Sequence, residues 1–170
     1  MRIKWVLLAV AVVVATVVVT LCIRGRRRAG PASFPKPTVM RAEAHGYRAV
    51  LKTRDVVATE DDCATPPWGA DCAFSRRWRM VASLRIWRGR EEVDVPRSAF
   101  ADLCDVNTLA IGRSSRGCTV NLTGSDAGNS WDALIDVTGT RVVERTVSSG
   151  EFPENHYEST EYVSKFPPEM

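Results

Sequence analysis

The chain has 170 residues, a formal net charge of +3 and five cysteines. Six of its 23 basic residues precede residue 29 and its first acidic residue is Glu43, so the rest carries 17 basic against 20 acidic side chains, a net charge of −3. The charge of this larger part gives no reason to expect nucleic-acid binding. The length allows a membrane anchor and one domain of ordinary size.

Residues Trp5–Ile23 form one apolar stretch of 19 residues without charge, glycine or proline. As a helix it would be about 28 Å long, close to the thickness of the hydrocarbon core of a bilayer. Arg2 and Lys4 precede it and Arg24-Gly25-Arg26-Arg27-Arg28 follows it. We therefore predict that residues 1–28 are a transmembrane anchor with basic flanks, in contact with the lipid bilayer.

Two other interpretations of this stretch stay open. The first is a cleaved signal peptide, although such peptides have a shorter apolar core than this stretch and small residues before the cleavage site. A lipoprotein signal ending at Cys22 would need a small residue where Leu21 stands. The length of the apolar run favours an anchor that is not cleaved.

Two features of the sequence predict opposite orientations for this anchor. Four arginines follow the apolar stretch and two basic residues precede it, which favours a cytoplasmic domain. Cysteines that could form disulfides favour an oxidising compartment. We predict a single-pass membrane protein whose domain is extracytoplasmic, in the periplasm or outside the cell.

Residues 29–42 contain Pro31, Pro35 and Pro37 and are predicted to be an extended linker. Residues 43–166 then alternate between short apolar patterns and turn residues. This alternation predicts a mainly β domain, a small antiparallel sandwich or meander/barrel with one short helix. The expected strands are Gly46–Val57, Trp78–Trp87, Glu92–Val95, Thr108–Gly112, Gly117–Leu122, Trp131–Val137, Arg141–Val147 and Tyr157–Val163.

The strand at Trp78–Trp87 has the clearest alternation. Its predicted inner face carries Trp78, Met80, Ala82, Leu84 and Ile86. A shift of one residue would bury arginines, so we expect a regular register. Residues Ala58–Phe74 are predicted to be a loop, and Ser98–Cys104 the short helix.

Four cysteines lie in the domain, at positions 63, 72, 104 and 118. Their spacing includes no CxxC pair and does not fit zinc. Three pairings are possible, and we favour two disulfides, Cys63–Cys72 and Cys104–Cys118. The alternative is four reduced, buried thiols in the cytosol.

No motif in the sequence identifies a catalytic centre. His45 and His156 stand alone, and the acidic run Glu60-Asp61-Asp62 is typical of a solvated surface. We predict no catalytic residue, metal or cofactor, and no enzymatic activity. A pair of carboxylates that meets only in the folded chain would still allow a hydrolase.

Aromatic and basic residues are the candidates for binding. Trp68 stands in a Pro-Pro-Trp-Gly loop, and aromatic residues on rigid loops often contact partners. Arg79, Arg85 and Trp87 lie on a basic strand that could bind an anionic partner, or could pair with Glu91, Glu92 and Asp94 across a hairpin. The hypothesis is a non-catalytic envelope domain that binds a protein or another envelope component. The alternative is an inhibitor or immunity-type protein.

Overall fold

A computed structural model describes residues 38–73 and 75–163. The predicted anchor, its basic flanks and most of the linker lie outside these residues, so those predictions stand as made. Among the residues described, no helix has the length and apolar character needed to cross a membrane.

The described residues form nine strands and one short α-helix. The strands are β1 Val39–Ala44, β2 Tyr47–Val57, β3 Arg77–Arg88, β4 Glu91–Glu92, β5 Val106–Ser114, β6 Gly117–Gly124, β7 Trp131–Thr138, β8 Arg141–Ser149 and β9 His156–Glu161. The helix is α1 Glu60–Ala64, and there are 3₁₀ turns at Arg97–Ala99 and Ala127–Asn129. The first strand begins at Val39, so the domain starts inside the stretch predicted to be linker.

The strands make two antiparallel sheets in which chain order is also spatial order. The first sheet has the order β1-β2-β3-β4 and the second β5-β6-β7-β8-β9. Short turns join most neighbouring strands, as expected for meanders. The prediction of a mainly β, antiparallel fold with one short helix is confirmed.

One hydrophobic core is shared by both sheets. The buried side chains of β6 and β7 alternate along each strand, as their sequence predicts. They form one cluster with Leu51, Leu84 and Ile86 of the first sheet. The members from β6 and β7 are Cys118, Val120, Leu122, Trp131, Ala133, Ile135 and Val137.

The predicted regular register of β3 is wrong at Ala82. The partner of Lys52 is Ser83 whereas the partner of Thr53 is Val81, so β3 has an extra residue there. Such a bulge reverses the alternation of faces. Val81 therefore enters the main core while Ala82 is exposed.

The bulge also gives Trp78 a different neighbourhood from the one predicted. Trp78 packs with Ala58 and Cys104 in a second, smaller cluster, against which Cys63, Ala70, Cys72 and Met80 are packed. This cluster lies beneath residues 58–73. Ala58, Cys63, Ala70 and Cys72 of the cluster belong to that segment, so Trp78 packs against it and not in the main core.

The short helix lies where a loop was predicted. Thr59 caps α1 and exchanges hydrogen bonds with Asp62, which forms a complete capping box. At Ser98–Cys104, which was predicted to be helical, a 3₁₀ turn leads through further turn residues to isolated bridges at Leu103 and Cys104. There the Val81 amide donates to the Leu103 carbonyl (3.0 Å), and the Asp105 amide donates to the Arg79 carbonyl (2.9 Å).

Of the two predicted disulfides, only Cys63–Cys72 is present, with its Cα atoms 5.9 Å apart. The predicted Cys104–Cys118 disulfide is wrong, because both of these thiols are free and buried. Cys104 belongs to the small cluster and Cys118 to the main core. A pattern of spacings could not reveal that these two residues fill different clusters.

Candidate functional site

The segment that carries Trp68 is fixed to the domain by its backbone. The Trp68 amide donates to the Asp102 carbonyl (2.8 Å), and the Cys104 amide donates to the Trp68 carbonyl (3.0 Å). The Ser125 hydroxyl donates to the Gly69 carbonyl (3.0 Å). Together with the Cys63–Cys72 disulfide, these bonds hold the loop in one place.

Gly69 permits a close approach between this loop and the core. Its φ of +87° lies in the left-handed region, where a side chain is strained. A Cβ atom at this position would lie 3.0 Å from the Cys104 carbonyl oxygen and closer still to the buried indole of Trp131. Trp131 in turn donates from Nε1 to the Cys104 carbonyl (3.2 Å).

The indole of Trp68 is oriented by two residues of β9. It stacks on Tyr157 with ring centroids 5.3 Å apart and planes 5° from parallel. Its Nε1 donates to Glu158 Oε2 (3.4 Å). Tyr157 itself is 52% exposed, so this aromatic pair reaches the surface.

A buried arginine connects the supports of Trp68. Arg145 in β8 is only 2% exposed and donates to the Ser98 carbonyl (2.7 Å) and to Asp102 Oδ2 (2.9 Å). Glu158 Oε1 lies 3.7 Å from the same guanidinium. The Asp102 carbonyl accepts from the Trp68 amide, and the Glu158 carboxylate accepts from the Trp68 indole. Arg145 therefore contacts both residues that hold Trp68.

Sequence reasoning missed Arg145. It shares a face of β8 with Val147, which is fully buried. The alternation along that strand was the signal that an arginine points inward. Buried arginines of this kind are normally ion-paired, as this one is.

Trp68 borders two clefts. The larger has a volume of about 500 Å³ and the smaller about 240 Å³. The larger is lined by Arg54, Val56, Asp61, Asp62, Thr65, Pro66, Pro67, Trp68, Trp78, Met80 and Asp102. The smaller is lined by Pro66, Pro67, Trp68, Gly69, Ala70, Gly128, Asn129, Ser130, Trp131 and Tyr157. We call the larger one the Trp68 cleft.

The structure does not bring Arg85 and Trp87 to the Trp68 cleft. They belong to β3 and face outward on the first sheet, where Trp87 contacts Arg48 and Arg85 with 4.5 and 4.8 Å from guanidinium carbon to ring centroid. Arg85 also forms a two-pronged pair with Glu92 (2.7 and 2.8 Å). Its hydrogen bond holds the pKa of the Glu92 carboxyl below its usual range. This favours the interpretation of a cross-strand pair for Arg85.

Arg79 lies at a third cavity, of about 310 Å³, with Asp105, Val106, Asn107, Ser125 and Asp126. Its buried Nε has no hydrogen-bond partner among the described residues. Asp105 and Ser125 adopt left-handed backbone conformations, with φ of 51° and 58°. Burial raises the pKa of the Asp105 carboxyl. Two carboxylates, Asp105 and Asp126, therefore share one polar cavity.

Within residues 38–73 and 75–163, no three side chains of the metal-binding types converge. Comparison of the chain with protein-family models, with curated proteins and with solved structures gives no match.

Proposed function

We propose that this protein is a non-catalytic, membrane-anchored envelope domain that binds a partner protein or another envelope component at Trp68. The observation that carries this proposal is that the aromatic pair Trp68 and Tyr157 is held in a fixed position at the surface, where Trp68 lines two clefts. Trp68 is held by main-chain hydrogen bonds and stacked on the half-exposed Tyr157. Aromatic anchors in defined pockets provide much of the binding energy in protein interfaces.

The disulfide supports an extracytoplasmic location. Cys63 and Cys72 close a surface loop, and disulfides persist in oxidising compartments. In this proposal Trp5–Ile23 is the membrane anchor and the proline-containing stretch before β1 is the spacer. The two sheets around one core form a sandwich that presents the Trp68 loop to its partner.

The proposal is tested by affinity capture from membranes with four forms of the full chain, the wild type and three single variants. The wild type and a Trp87→Ala control should retain the same dominant partner, because Trp87 lies on the outer face of the first sheet. Trp68→Ala and the milder Tyr157→Ser should lose it. If the partner is retained by both of these variants while they remain folded, the Trp68 surface is not the binding site.

An inhibitor or immunity-type protein is the second candidate. A disulfide-closed loop that carries an aromatic residue is preorganised, and preorganisation reduces the entropy lost on binding. Such a protein would return one hydrolase or toxin as its dominant partner and would lower the activity of that enzyme in a stoichiometric titration.

A hydrolase that uses Asp105 and Asp126 is the third candidate, favoured by the polar cavity that these residues share. Hydrolytic turnover that Asp126→Asn abolishes without unfolding would establish it against the binding proposals.

A further inference from the structure

The Trp68 cleft combines apolar walls with an acidic rim. Trp68 and Met80 supply aromatic and thioether surface, and Trp78 lies below it at 4% exposure. Pro66 and Pro67 also line the cleft. Three of the lining residues are aspartates and one, Arg54, is basic. Because Asp102 is paired with Arg145, the exposed Asp61 and Asp62 provide the acidic charge of the rim. A ligand that fills such a cleft needs an apolar stem and a positive charge.

The three aspartates differ in exposure and in hydrogen bonding. A hydrogen bond from the Thr59 amide holds the pKa of the Asp62 carboxyl below its usual range. Asp61 is exposed beside it on α1. Asp102 is fixed through Oδ2 by the buried Arg145, whereas its buried Oδ1 has no hydrogen-bond partner among the described residues.

We propose that the Trp68 cleft binds a lysine- or arginine-bearing extended segment of the partner protein. The methylene groups of such a side chain pack on aromatic and thioether surface, and its charged end can lie over an indole or donate to a carboxylate. Electrostatic complementarity of this kind selects basic segments and rejects acidic ones. The inference rests on the proposed function and names the chemistry of the partner.

The test uses the full chain in a neutral detergent and three synthetic peptides of equal length. One alternates lysine with glycine, and in the others glutamate or serine replaces the lysine. We expect the lysine peptide to shift the NMR signal of the Trp68 indole N–H and the glutamate peptide to leave it unchanged. Because exposed charges are screened by salt, the affinity should fall at least about fivefold from 0.05 to 0.5 M salt.

A matched pair of variants separates this cleft from the general negative charge of the domain. Asp61→Asn should weaken binding of the lysine peptide about three- to fivefold, as expected for the loss of one ion pair near the surface. Glu60→Gln removes the same charge from the neighbouring residue of α1, which pairs with Arg76 and does not line the cleft. It should change the affinity less than about twofold.

Equal effects of Asp61→Asn and Glu60→Gln, or preference for the serine or glutamate peptide, would overturn the inference. Such a result, with partner capture still dependent on Trp68, would leave the proposed function standing with another ligand chemistry. If the Trp68→Ala variant captured the partner as well as the wild type does, the proposed function itself would be overturned.

Discussion

Gly69 is the residue on which the position of Trp68 depends most directly. Gly69→Ala would place a methyl group against the Trp131 indole in a backbone conformation that already disfavours alanine. We expect a loss of about 2–4 kcal/mol in the free energy of unfolding, from backbone strain together with overpacking. Urea unfolding followed by tryptophan fluorescence measures this loss.

Gly46 provides the matched control, because its φ is +77° but a Cβ atom there would meet nothing within 4 Å. Gly46→Ala should therefore cost only about 1–2 kcal/mol, the backbone contribution alone. Equal costs for the two substitutions would contradict the close approach between Gly69 and Trp131.

The two buried thiols give a second prediction at this scale. Burial raises the pKa of the Cys104 thiol strongly and that of Cys118 to about 11, so neither forms a reactive thiolate at pH 8. In a Cys22→Ser background without reductant, a chromogenic disulfide reagent should label no thiol in the folded chain and two in denaturant. No labelling in denaturant would mean that these cysteines are paired after all.

At the scale of elements, the loop between β2 and β3 owes part of its stability to the Cys63–Cys72 disulfide. The bridge joins positions nine residues apart. The chain-entropy relation gives a contribution of about 2.5 kcal/mol for a loop of this size. Replacing both cysteines by serine should therefore lower the free energy of unfolding by about 2–3 kcal/mol.

Reductant serves as the internal control for this measurement. It should destabilise the wild type by a similar amount and leave the serine variant unchanged. If the free energy of unfolding of the wild type did not change when the disulfide was fully reduced, the stabilising role of the disulfide would be contradicted.

Only some of the secondary-structure elements could be predicted from alternation in the sequence. Alternation identified β6, β7 and β8 because each buries one face in the common core. It failed at Ala82, since a bulge depends on the register of the partner strand and not on β3 alone. It also missed α1, whose five residues have no buried side chain and are stabilised by the Thr59 cap.

At the scale of the whole molecule, the candidate site could be predicted in part. Trp68 was identified from its Pro-Pro-Trp-Gly context. Tyr157, Glu158 and Arg145 come from strands about 80 to 90 residues later, and only the folded sheet brings them to Trp68. Arg79, Arg85 and Trp87 are close in sequence but lie at other surfaces.

The proposed orientation has its own test in intact cells. A mild membrane-impermeant reductant followed by an impermeant maleimide should label Cys63 and Cys72 if the domain is extracytoplasmic. The variant with serine at both positions is the control, since Cys104 and Cys118 are buried. Labelling only after the inner membrane is broken would place the domain inside the cell.

Hydrogen–deuterium exchange of the full chain with its captured partner tests the central claim most directly, because it locates the contact without any substitution. The account predicts that binding slows amide exchange in residues 60–73 and around Tyr157. It predicts no change on the outer face of β2 and β3, where Arg48 and Trp87 lie. Protection confined to that outer face, with the Trp68 loop exchanging as in the free protein, would contradict it.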